Sequence, residues 1–331
     1  MNDSTPLDVF KIQAQGKNDE PAIAVGTEAT SSLKMLFFGD IMLDRYVGDK
    51  IKKDGLDNIF TKLPGDFFTA DVVSANLEGA VTEVGKHYDP VFSNDFAFAP
   101  QLVSGLQKYH FNFFNIANNH LTDQGASGVA ETRSNLQEMG VDYSGCVDGQ
   151  IGVCTAKIVA AGGKKVGMVG LSMVYKKFNQ EEAEKIIKDL KAKTDFVVVN
   201  IHWGQEYAHE QNQVQQEVAH SLVDAGADVI IGHHPHVVEG VEVYQGKPIF
   251  YSLGNFIFDQ YFSRDTQQEL GLGLEIGDAG YKIKLYPIKS IKSRLELMSG
   301  LEQERFLQDL SGWSIGDDNL KKQIKKGEIK I

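Results

Sequence analysis

The amino-acid sequence predicts an α/β protein, because short apolar runs of strand length alternate with segments of helical periodicity. Amphipathic helices are predicted at residues 180–193 and 211–225, where apolar side chains recur on one face. Continuous apolar runs are typical of buried strands and favour a sheet that contains parallel strands. The strand-like runs cover residues 34–39, 72–76, 113–117, 166–171, 196–201 and 228–232.

Glycine-containing turns predict antiparallel hairpins beside these strands. The turns lie at residues 162–163, 245–246 and 277–280. Residues 1–32 are polar without sustained periodicity and are expected to form a flexible leader. One domain is expected at residues 33–310, followed at residues 311–331 by a surface tail with a short basic helix.

Charge and composition limit the partners that the chain is expected to bind. The 331 residues carry a formal net charge of −12 and are 42% hydrophobic. Because no stretch interleaves basic with aromatic residues, we expect no nucleic-acid partner.

We find neither the pattern of a secretory signal nor an apolar run of the ~20 residues that cross a bilayer. Cys146 and Cys154 are interpreted as free thiols, with a disulfide in an oxidising compartment as the alternative.

Three histidines follow the last of these runs, in the sequence Gly-His-His-Pro-His at residues 232–236. Imidazole nitrogen is a favoured ligand of zinc, manganese, iron and nickel. The carboxyl ends of parallel strands are also where α/β proteins collect catalytic groups. The alternative is a surface turn whose histidines cap the strand without binding a metal.

Four other strand-like runs end in side chains that offer oxygen or nitrogen ligands, which favours the metal site. Neighbouring strands bring such ends together although they are far apart in sequence. The expected ligands are Asp40, Glu78, Asn119, His202, His234 and His236. This set suits two divalent ions of manganese, iron or zinc that share Glu78 and promote in-line displacement at phosphorus. A single ion is the alternative.

His120 follows the expected ligand Asn119 and is interpreted as free of metal. It could protonate a leaving oxygen or stabilise charge on the transferred group, and Asp123 is close enough in sequence to orient its ring. The alternative is a histidine that is hydrogen-bonded to a backbone carbonyl. We therefore expect His120 and Asp123 to be the catalytic residues.

Six motifs, in this order, resemble those of the CapA family, the capsule and poly-γ-glutamate synthesis proteins. They occupy residues 39–42, 76–78, 117–125, 202–207, 232–237 and 252–259. The family is part of the calcineurin-like metallophosphoesterases. The resemblance therefore implies a four-layer α-β-β-α sandwich, with two β-sheets face to face and helices outside, and a dinuclear metal centre.

The resemblance also implies which residue binds which ion. Asp40 and His236 would bind the first ion, Glu78 would bridge, and Asn119, His202 and His234 would bind the second, with His233 as a rival for one place. Met42 stands where ordinary metallophosphoesterases have a histidine ligand. Because a thioether is a poor ligand for borderline divalent ions, Met42 is expected to fill an apolar gap beneath the site.

Residues near the expected ligands could support them or contact a substrate. Glu206 and Tyr207 follow a ligand histidine and could shape the substrate mouth. Asn255 and Asp259 are expected to hydrogen-bond ligand histidines and to fix their tautomers. Arg45 is expected to form a surface salt bridge, with neutralisation of an anionic substrate as the alternative.

The resemblance implies a CapA-type protein of capsule or poly-γ-glutamate synthesis or attachment, with a metal-dependent phosphoesterase-like site. The alternative, which Met42 favours, is a non-catalytic structural subunit of an envelope polymer export complex with a degenerate metal site. A nucleotidase is a third hypothesis. The expected partners are an anionic envelope polymer or a small phosphoester, and membrane-bound polymer synthase subunits. The resemblance implies an extracytoplasmic place in the cell envelope, while the sequence leaves a cytoplasmic one open.

Overall fold

The computed structural model describes residues 32–87, 94–277 and 280–331. The predicted leader lies outside these residues, apart from residue 32. The α-helices within the described ranges are α1 (Arg45–Asp54), α2 (Asp57–Phe60), α3 (Pro100–Leu106), α4 (Gly125–Glu138), α5 (Gln180–Lys191), α6 (Gln213–Asp224), α7 (Gly300–Trp313) and α8 (Asp318–Lys325). The strands are β1 (Leu33–Ile41), β2 (Val72–Leu77), β3 (Ala80–Val81), β4 (Ala97–Phe98), β5 (Phe113–Asn115), β6 (Asp142–Ser144), β7 (Ala156–Ala161), β8 (Lys164–Ser172), β9 (Phe196–His202), β10 (Val229–His233), β11 (Val241–Tyr244), β12 (Lys247–Phe250), β13 (Asn255–Ile257), β14 (Gln268–Gly277), β15 (Gly280–Ile291), β16 (Arg294–Leu297) and β17 (Glu328–Lys330).

Two large sheets contain most of these strands. The first has the order β16-β15-β14-β1-β2-β5-β6, with β13 paired to β1 and β17 paired to β15. The second has the order β11-β12-β10-β9-β8-β7. Strands β1, β2, β5 and β6 are parallel to one another, as are β8, β9, β10 and β12. The carboxyl ends of the strands in each parallel group therefore lie at the same end of the sheet.

Alternating side chains of β1 separate two apolar layers. Met35 and Phe37 pack in a cluster that also contains Val198 of β9, in the other sheet. Leu36 and Phe38 point to the opposite face and belong to a cluster that includes side chains of α1, α3 and α4. This alternation is what the two-residue period of a strand produces when both faces are buried. One face of the first sheet thus meets the second sheet, and its other face meets helices.

The second sheet repeats this arrangement. Val197 and Val199 of β9 lie in a third cluster with Ile187 of α5 and Leu222 of α6. Helices therefore cover the outer face of this sheet as well. The fold is a four-layer α-β-β-α sandwich, as the resemblance implied.

The predicted helices and strand-like runs are confirmed to within about two residues at each end. Both predicted helices, α5 and α6, begin with an asparagine cap. Asn179 accepts a hydrogen bond from the backbone N of Glu182, and Asn212 and Gln215 form a reciprocal capping box. The three predicted hairpins correspond to the antiparallel pairs β7–β8, β11–β12 and β14–β15.

The C-terminal segment differs from the expected surface tail. Helix α7 continues across residue 311, and β17 pairs with β15 in the first sheet. The predicted basic helix is α8, but its apolar face is buried together with β17. Leu320, Ile324 and Ile329 are buried in the cluster between the sheets. Residues 311–331 are therefore part of the sandwich, because pairing with a distant strand gives their apolar side chains a place to pack.

Cys146 and Cys154 form a disulfide, so the interpretation as free thiols is wrong. Their Cα atoms are 5.2 Å apart, within the usual range for this bond. The loop folds back on itself, since the backbone N of Gly145 donates to the carbonyl oxygen of Cys154 at 2.7 Å. The spacing of the two cysteines in sequence does not reveal this loop closure.

Replacing both cysteines, by Cys146→Ser and Cys154→Ser, is expected to lower the free energy of unfolding by about 2.5 kcal/mol. The disulfide closes a short loop, with a sequence separation of 8, and so restricts the unfolded chain. Urea denaturation of the variant and of the wild type, with and without reductant, measures the difference. Equal midpoints for the oxidised wild type and the variant would contradict this expectation.

Glu239 is a buried carboxyl group outside the expected metal site. Its Oε2 accepts a hydrogen bond from Gln215 Nε2 at 2.7 Å, while Oε1 has no hydrogen-bond partner among the described residues. Burial raises the pKa of Glu239 from 4.5 to about 8. The folded protein therefore keeps a proton that the unfolded chain loses above pH 4.5, so stability falls as the pH rises towards 8.

Glu239→Gln removes this titration and keeps the shape of the side chain. Relative to the wild type, the variant is expected to gain roughly 3 kcal/mol between pH 5 and pH 8, since one pKa unit corresponds to about 1.4 kcal/mol. Urea denaturation at several pH values measures the difference. The exposed Glu304→Gln is the control, and a constant difference between Glu239→Gln and wild type at all pH values would contradict the raised pKa.

Candidate metal centre

The strand registers bring the expected ligands to one place. Asp40 at the end of β1 is paired with Asn76 of β2 on one side and with Asn255 of β13 on the other. In the second sheet, His202 at the end of β9 is paired with His233 of β10. Because the sheets face each other, side chains from both sets of strand ends can meet.

Two buried carboxylates and one histidine form the centre of the site. Asp40 Oδ2 lies 3.5 Å from His236 Nδ1, and Glu78 Oε1 lies 3.9 Å from His236 Nε2. Asp40 and Glu78 are both 0% exposed. One ligand atom of each of the three residues lies within 4.8 Å of the others, so a single ion could contact all three. His233 is also close, with Nδ1 3.6 Å from Asp40 Oδ1.

The remaining expected ligands lie beside this group. His202 Nε2 is 2.8 Å from Asn119 Oδ1, and the rings of His202 and His234 have centroids 4.9 Å apart. The backbone of His234 and His236 has positive φ angles of 98° and 61°. This region is unfavourable for a bulky side chain and persists only where the surrounding structure maintains it. Through the side-chain contacts above, all six expected ligands lie in one spatial group.

His120 and Asp123 have the expected relationship. His120 Nδ1 is 2.7 Å from Asp123 Oδ2, and His120 Nε2 is 3.7 Å from Glu78 Oε1. The ring of His120 also stacks on Phe96, with centroids 4.1 Å apart. Asp123 in turn accepts a hydrogen bond from the backbone N of Phe96 at 2.7 Å. These contacts orient the His120 ring with one nitrogen towards Asp123 and the other towards Glu78.

The histidines beside the two carboxylates fall into two groups by pKa. Burial lowers the pKa of His233 to about 4 and that of His234 to about 3, and it lowers the pKa of His202 well below the usual value. These three imidazoles are neutral at pH 7, which is the form that binds metal ions. Burial opposes the charged form of His236 too, but Glu78 and Asp40 raise its pKa to about 9.

The two carboxyl groups also differ. Burial and the charge of Asp40 raise the pKa of Glu78 to about 8. Burial opposes ionisation of Asp40, but hydrogen bonding to His236 and the charges of His233 and His236 lower its pKa. Protons thus supply the positive charge that the two carboxylates require, a role that a divalent cation can also fill.

The donor atoms fit a metal ion. Among the described residues, Glu78 Oε1, His233 Nδ1 and His234 Nδ1 are buried and have no hydrogen-bond partner. Buried polar atoms are normally paired, and a place for an ion is one recognised reason for an exception. Carboxylate and imidazole donors together suit manganese, iron or zinc. The residues present can therefore hold the divalent ions that the sequence predicts.

Asn76 links the carboxylates and was not predicted as a site residue. Its Nδ2 donates to Asp40 Oδ1 at 2.8 Å and lies 3.2 Å from His202 Nδ1. Its Oδ1 accepts from Nδ2 of Asn115 at 2.8 Å and from Nδ2 of Asn118 at 3.3 Å. The available signal was an asparagine inside an apolar strand, two residues before Glu78.

The supporting residues follow the predictions in part. Asn255 Oδ1 lies 2.9 Å from His236 Nδ1, as expected of a residue that fixes a tautomer. Asp259, by contrast, accepts hydrogen bonds from the Arg45 guanidinium rather than from a histidine. The guanidinium lies 4.7 Å from the centre of the Phe96 ring and its side chain is 15% exposed, so this ion pair is partly buried.

A cavity of about 280 Å³ leads to the site. Its lining includes His120 and His236 as well as Glu206 and Tyr207, the two residues expected at the substrate mouth. Arg45 also lines it. A larger cavity of about 530 Å³ lies elsewhere, between α4 and β7, and contains none of the expected site residues. Size alone therefore does not identify the chemical site, whereas the donor cluster does.

Residues 34–260 match the family model described as bacterial capsule synthesis protein PGA_cap. The chain belongs to this family. Among similar proteins, the PGA biosynthesis protein CapA of Bacillus subtilis (strain 168) is 34% identical over 79% of this chain and 72% of its own length. The capsule biosynthesis protein CapA of Bacillus anthracis is 31% identical over 94% of this chain and 82% of its own length. Membership of the PGA_cap family confirms the predicted resemblance.

Solved structures provide more distant likenesses. A hypothetical protein from Thermus thermophilus has a TM-score of 0.49 at 14% identity, over 80% of this chain and 98% of that one. Vacuolar protein sorting 29 from Cryptosporidium parvum has a TM-score of 0.31 at 11% identity, over 81% of this chain and 96% of that one. Neither likeness is close enough to inform the function of this PGA_cap member. Among the described residues, none of the helices is long and apolar enough to traverse a bilayer.

Asn76→Ala is expected to lower the free energy of unfolding by about 2–4 kcal/mol in the presence of EDTA, since the substitution leaves buried polar groups without partners. The amides of Asn115 and Asn118 lose an acceptor, and the Asp40 carboxylate loses a donor. Urea denaturation followed by circular dichroism measures the loss. The exposed Asn319→Ala is the control, expected to stay within about 0.5 kcal/mol of the wild type. Equal effects of both substitutions would contradict the linking role of Asn76.

Proposed function

We propose that this protein acts in capsule or poly-γ-glutamate synthesis or attachment and has a metal-dependent phosphoesterase-like site. Membership of the PGA_cap family and the names of its two Bacillus relatives support the first part. The observation that carries the second part is the group of buried donor atoms without hydrogen-bond partners among the described residues, at Glu78, His233 and His234, beside the Asp40 carboxylate.

Two sets of residues would hold the ions, which are manganese, iron or zinc. Asp40, Glu78 and His236 would hold one ion, with Glu78 shared between the two. Asn119, His202 and His234 would hold the second ion. When bound, such ions activate water and neutralise charge on a transferred phosphoryl group. Because the neutral imidazoles and the carboxylates are buried, bulk water does not compete with them for the ions.

His120 would carry a proton to the leaving oxygen of a substrate in the cavity. Burial opposes its charged form, but the hydrogen bond to Asp123 and the charge of Glu78 raise the pKa of His120. A raised pKa keeps the imidazolium available as an acid near neutral pH. Asp123 fixes the ring so that Nε2 is the nitrogen on the side of Glu78.

Bound cations would make the cavity attract an anionic substrate, because the Glu206 and Asp259 carboxylates also line it and Asp259 is already paired with Arg45. The aromatic rings of Tyr207, Phe258 and Phe262 form part of its wall. The overall net charge of −12 repels anions, so attraction must come from the bound cations. An anionic envelope polymer or a small phosphoester meets this requirement. Membrane-bound subunits of a polymer synthase are the proposed protein partners.

The disulfide supports a location outside the cytoplasm. Stable disulfides form in oxidising compartments and are rare in the reducing cytosol of most organisms. The bond between Cys146 and Cys154 therefore fits an extracytoplasmic place in the cell envelope.

A structural subunit without turnover is the second candidate function, and Met42 favours it. The Met42 side chain is fully buried in the apolar cluster next to α1, and its sulfur accepts a hydrogen bond from the backbone N of Asp44 at 3.1 Å. It fills space beneath the site as expected and adds no strong metal donor. The first ion would therefore have fewer protein ligands than in an ordinary metallophosphoesterase.

His120→Ala is expected to lower the turnover of p-nitrophenyl phosphate or bis(p-nitrophenyl) phosphate with manganese by about 10²–10⁴, because the proton donor is lost. His234→Ala is expected to abolish activity through loss of a ligand. Release of p-nitrophenol measures the rates, and elemental analysis measures bound metal. His110→Asn, at an exposed histidine with positive φ, is the control and should keep wild-type activity.

Activity that survives both His120→Ala and His234→Ala would exclude the proposed catalytic site. A wild-type protein that binds manganese but hydrolyses neither ester would favour the structural subunit. Wild-type protein that binds no divalent metal would contradict the metal centre itself.

A further inference from the structure

A second group of carboxylate and imidazole side chains lies beside the first and opens into the cavity. One ligand atom each of Glu206, His234 and His236 lies within 4.8 Å of the others. Glu206 and His236 also line the cavity of about 280 Å³. A carboxylate with two imidazoles is a donor set that binds zinc or manganese. Its carboxylate, Glu206, was not among the ligands predicted from the sequence.

The loop that carries Glu206 is tied to the histidine turn through the backbone. The backbone N of Tyr207 donates to the carbonyl oxygen of Pro235 at 2.8 Å. Tyr207 has a φ of 65°, in the left-handed region that a bulky side chain rarely adopts. Such a conformation persists only where its surroundings maintain it, and it is frequent at ligand sites. The loop therefore keeps Glu206 beside the two histidines.

His234 supplies an independent observation. Its side chain is almost fully buried, with 4% of the residue exposed. Its Nδ1 has no hydrogen-bond partner among the described residues. Buried polar atoms are normally paired, and a bound cation would give this nitrogen a partner. The group thus contains a buried imidazole with one nitrogen that has no hydrogen-bond partner among the described residues.

His236 belongs to both groups of ligands, which places the two ion positions next to each other. Its Nδ1 is 2.9 Å from Asn255 Oδ1, so Nε2 is the nitrogen left for a metal. One nitrogen binds one ion. When His236 serves the ion at Asp40 and Glu78, the neighbouring ion keeps Asn119, His202 and His234, and the Glu206 carboxylate can add a negatively charged donor to them.

We propose that Glu206 is a ligand of the divalent ion nearest to the cavity, together with His234 and, when it is free, His236. This inference rests on the proposed metal centre and adds to its ligand set. Because Glu206 comes from an exposed loop at the cavity wall, the ion that it binds is the one that an incoming anion reaches. Glu206 thus belongs to the metal centre rather than only to the substrate mouth.

Calorimetric titration of the metal-free full chain with Mn²⁺ tests the proposal. Glu206→Gln keeps the side-chain shape and removes the charge, and it is expected to weaken one binding event by at least about tenfold, while the other changes by less than about threefold. Glu210→Gln, an exposed glutamate four residues further along the same loop, is the matched control and should bind as the wild type does. Circular dichroism in EDTA checks that each variant is folded.

Glu206→His provides a second, positive measurement. It replaces the carboxylate by an imidazole, so it should restore tight binding of Zn²⁺ more than that of Mn²⁺, because nitrogen donors favour zinc. The visible absorption of bound Co²⁺ should also differ between wild type and Glu206→Gln, since the spectrum depends on the ligands.

The outcomes separate this inference from the proposed function. Wild-type Mn²⁺ binding that Glu206→Gln leaves unchanged would overturn the role of Glu206 while the other ligands stand. A similar weakening in Glu206→Gln and Glu210→Gln would mean a general effect of loop charge, and would also overturn it. A wild-type protein that binds neither Mn²⁺ nor Zn²⁺ would overturn both the inference and the proposed metal centre.

Discussion

The burial of two neighbouring carboxylates, Asp40 and Glu78, is the constraint on which the rest of the site depends. Removing a carboxylate from water costs several kcal/mol unless nearby groups compensate it. The structure provides this compensation at short range, through the amide of Asn76 and through His236, which lies less than 4.0 Å from both carboxylates. Removal of any one of these groups would leave another without its compensating partner. The site therefore behaves as one unit, and single substitutions there are not expected to be additive.

The face-to-face sheets make this unit possible. Asp40 and Asn76 come from the first sheet, whereas His202 and His233 come from the second. The apolar cluster between the sheets fixes their separation, so the strand ends meet at a distance that suits hydrogen bonds and metal ligands. A shift of one residue in either strand register would turn these side chains to the opposite face of the sheet, so they would no longer meet. Packing between the sheets thus determines the positions of the side chains in the candidate metal centre.

The sequence could predict the strands and the polar side chains at their ends, because both depend on local patterns. It could not predict the role of Asn76, which depends on pairing between β1 and β2, nor the place of β17, which depends on pairing with the distant β15. The disulfide was only the alternative to free thiols, because the residue types around Cys146 and Cys154 do not show that the loop between them closes. Asp259 was assigned to a histidine, although a partly buried arginine competes more strongly for a carboxylate.

The unpaired atoms bear on whether the site binds ions or is a degenerate site in a structural subunit. Without ions, Glu78 Oε1, His233 Nδ1 and His234 Nδ1 stay buried without a hydrogen-bond partner among the described residues, at about 1–3 kcal/mol each. Apolar side chains of similar volume would remove this cost in a purely structural subunit. Met42 makes that exchange at one position only. The remaining donors stay polar, and the cavity gives His120 and His236 a path to solvent, which a packed structural core would not need. These observations favour bound ions that a substrate can reach.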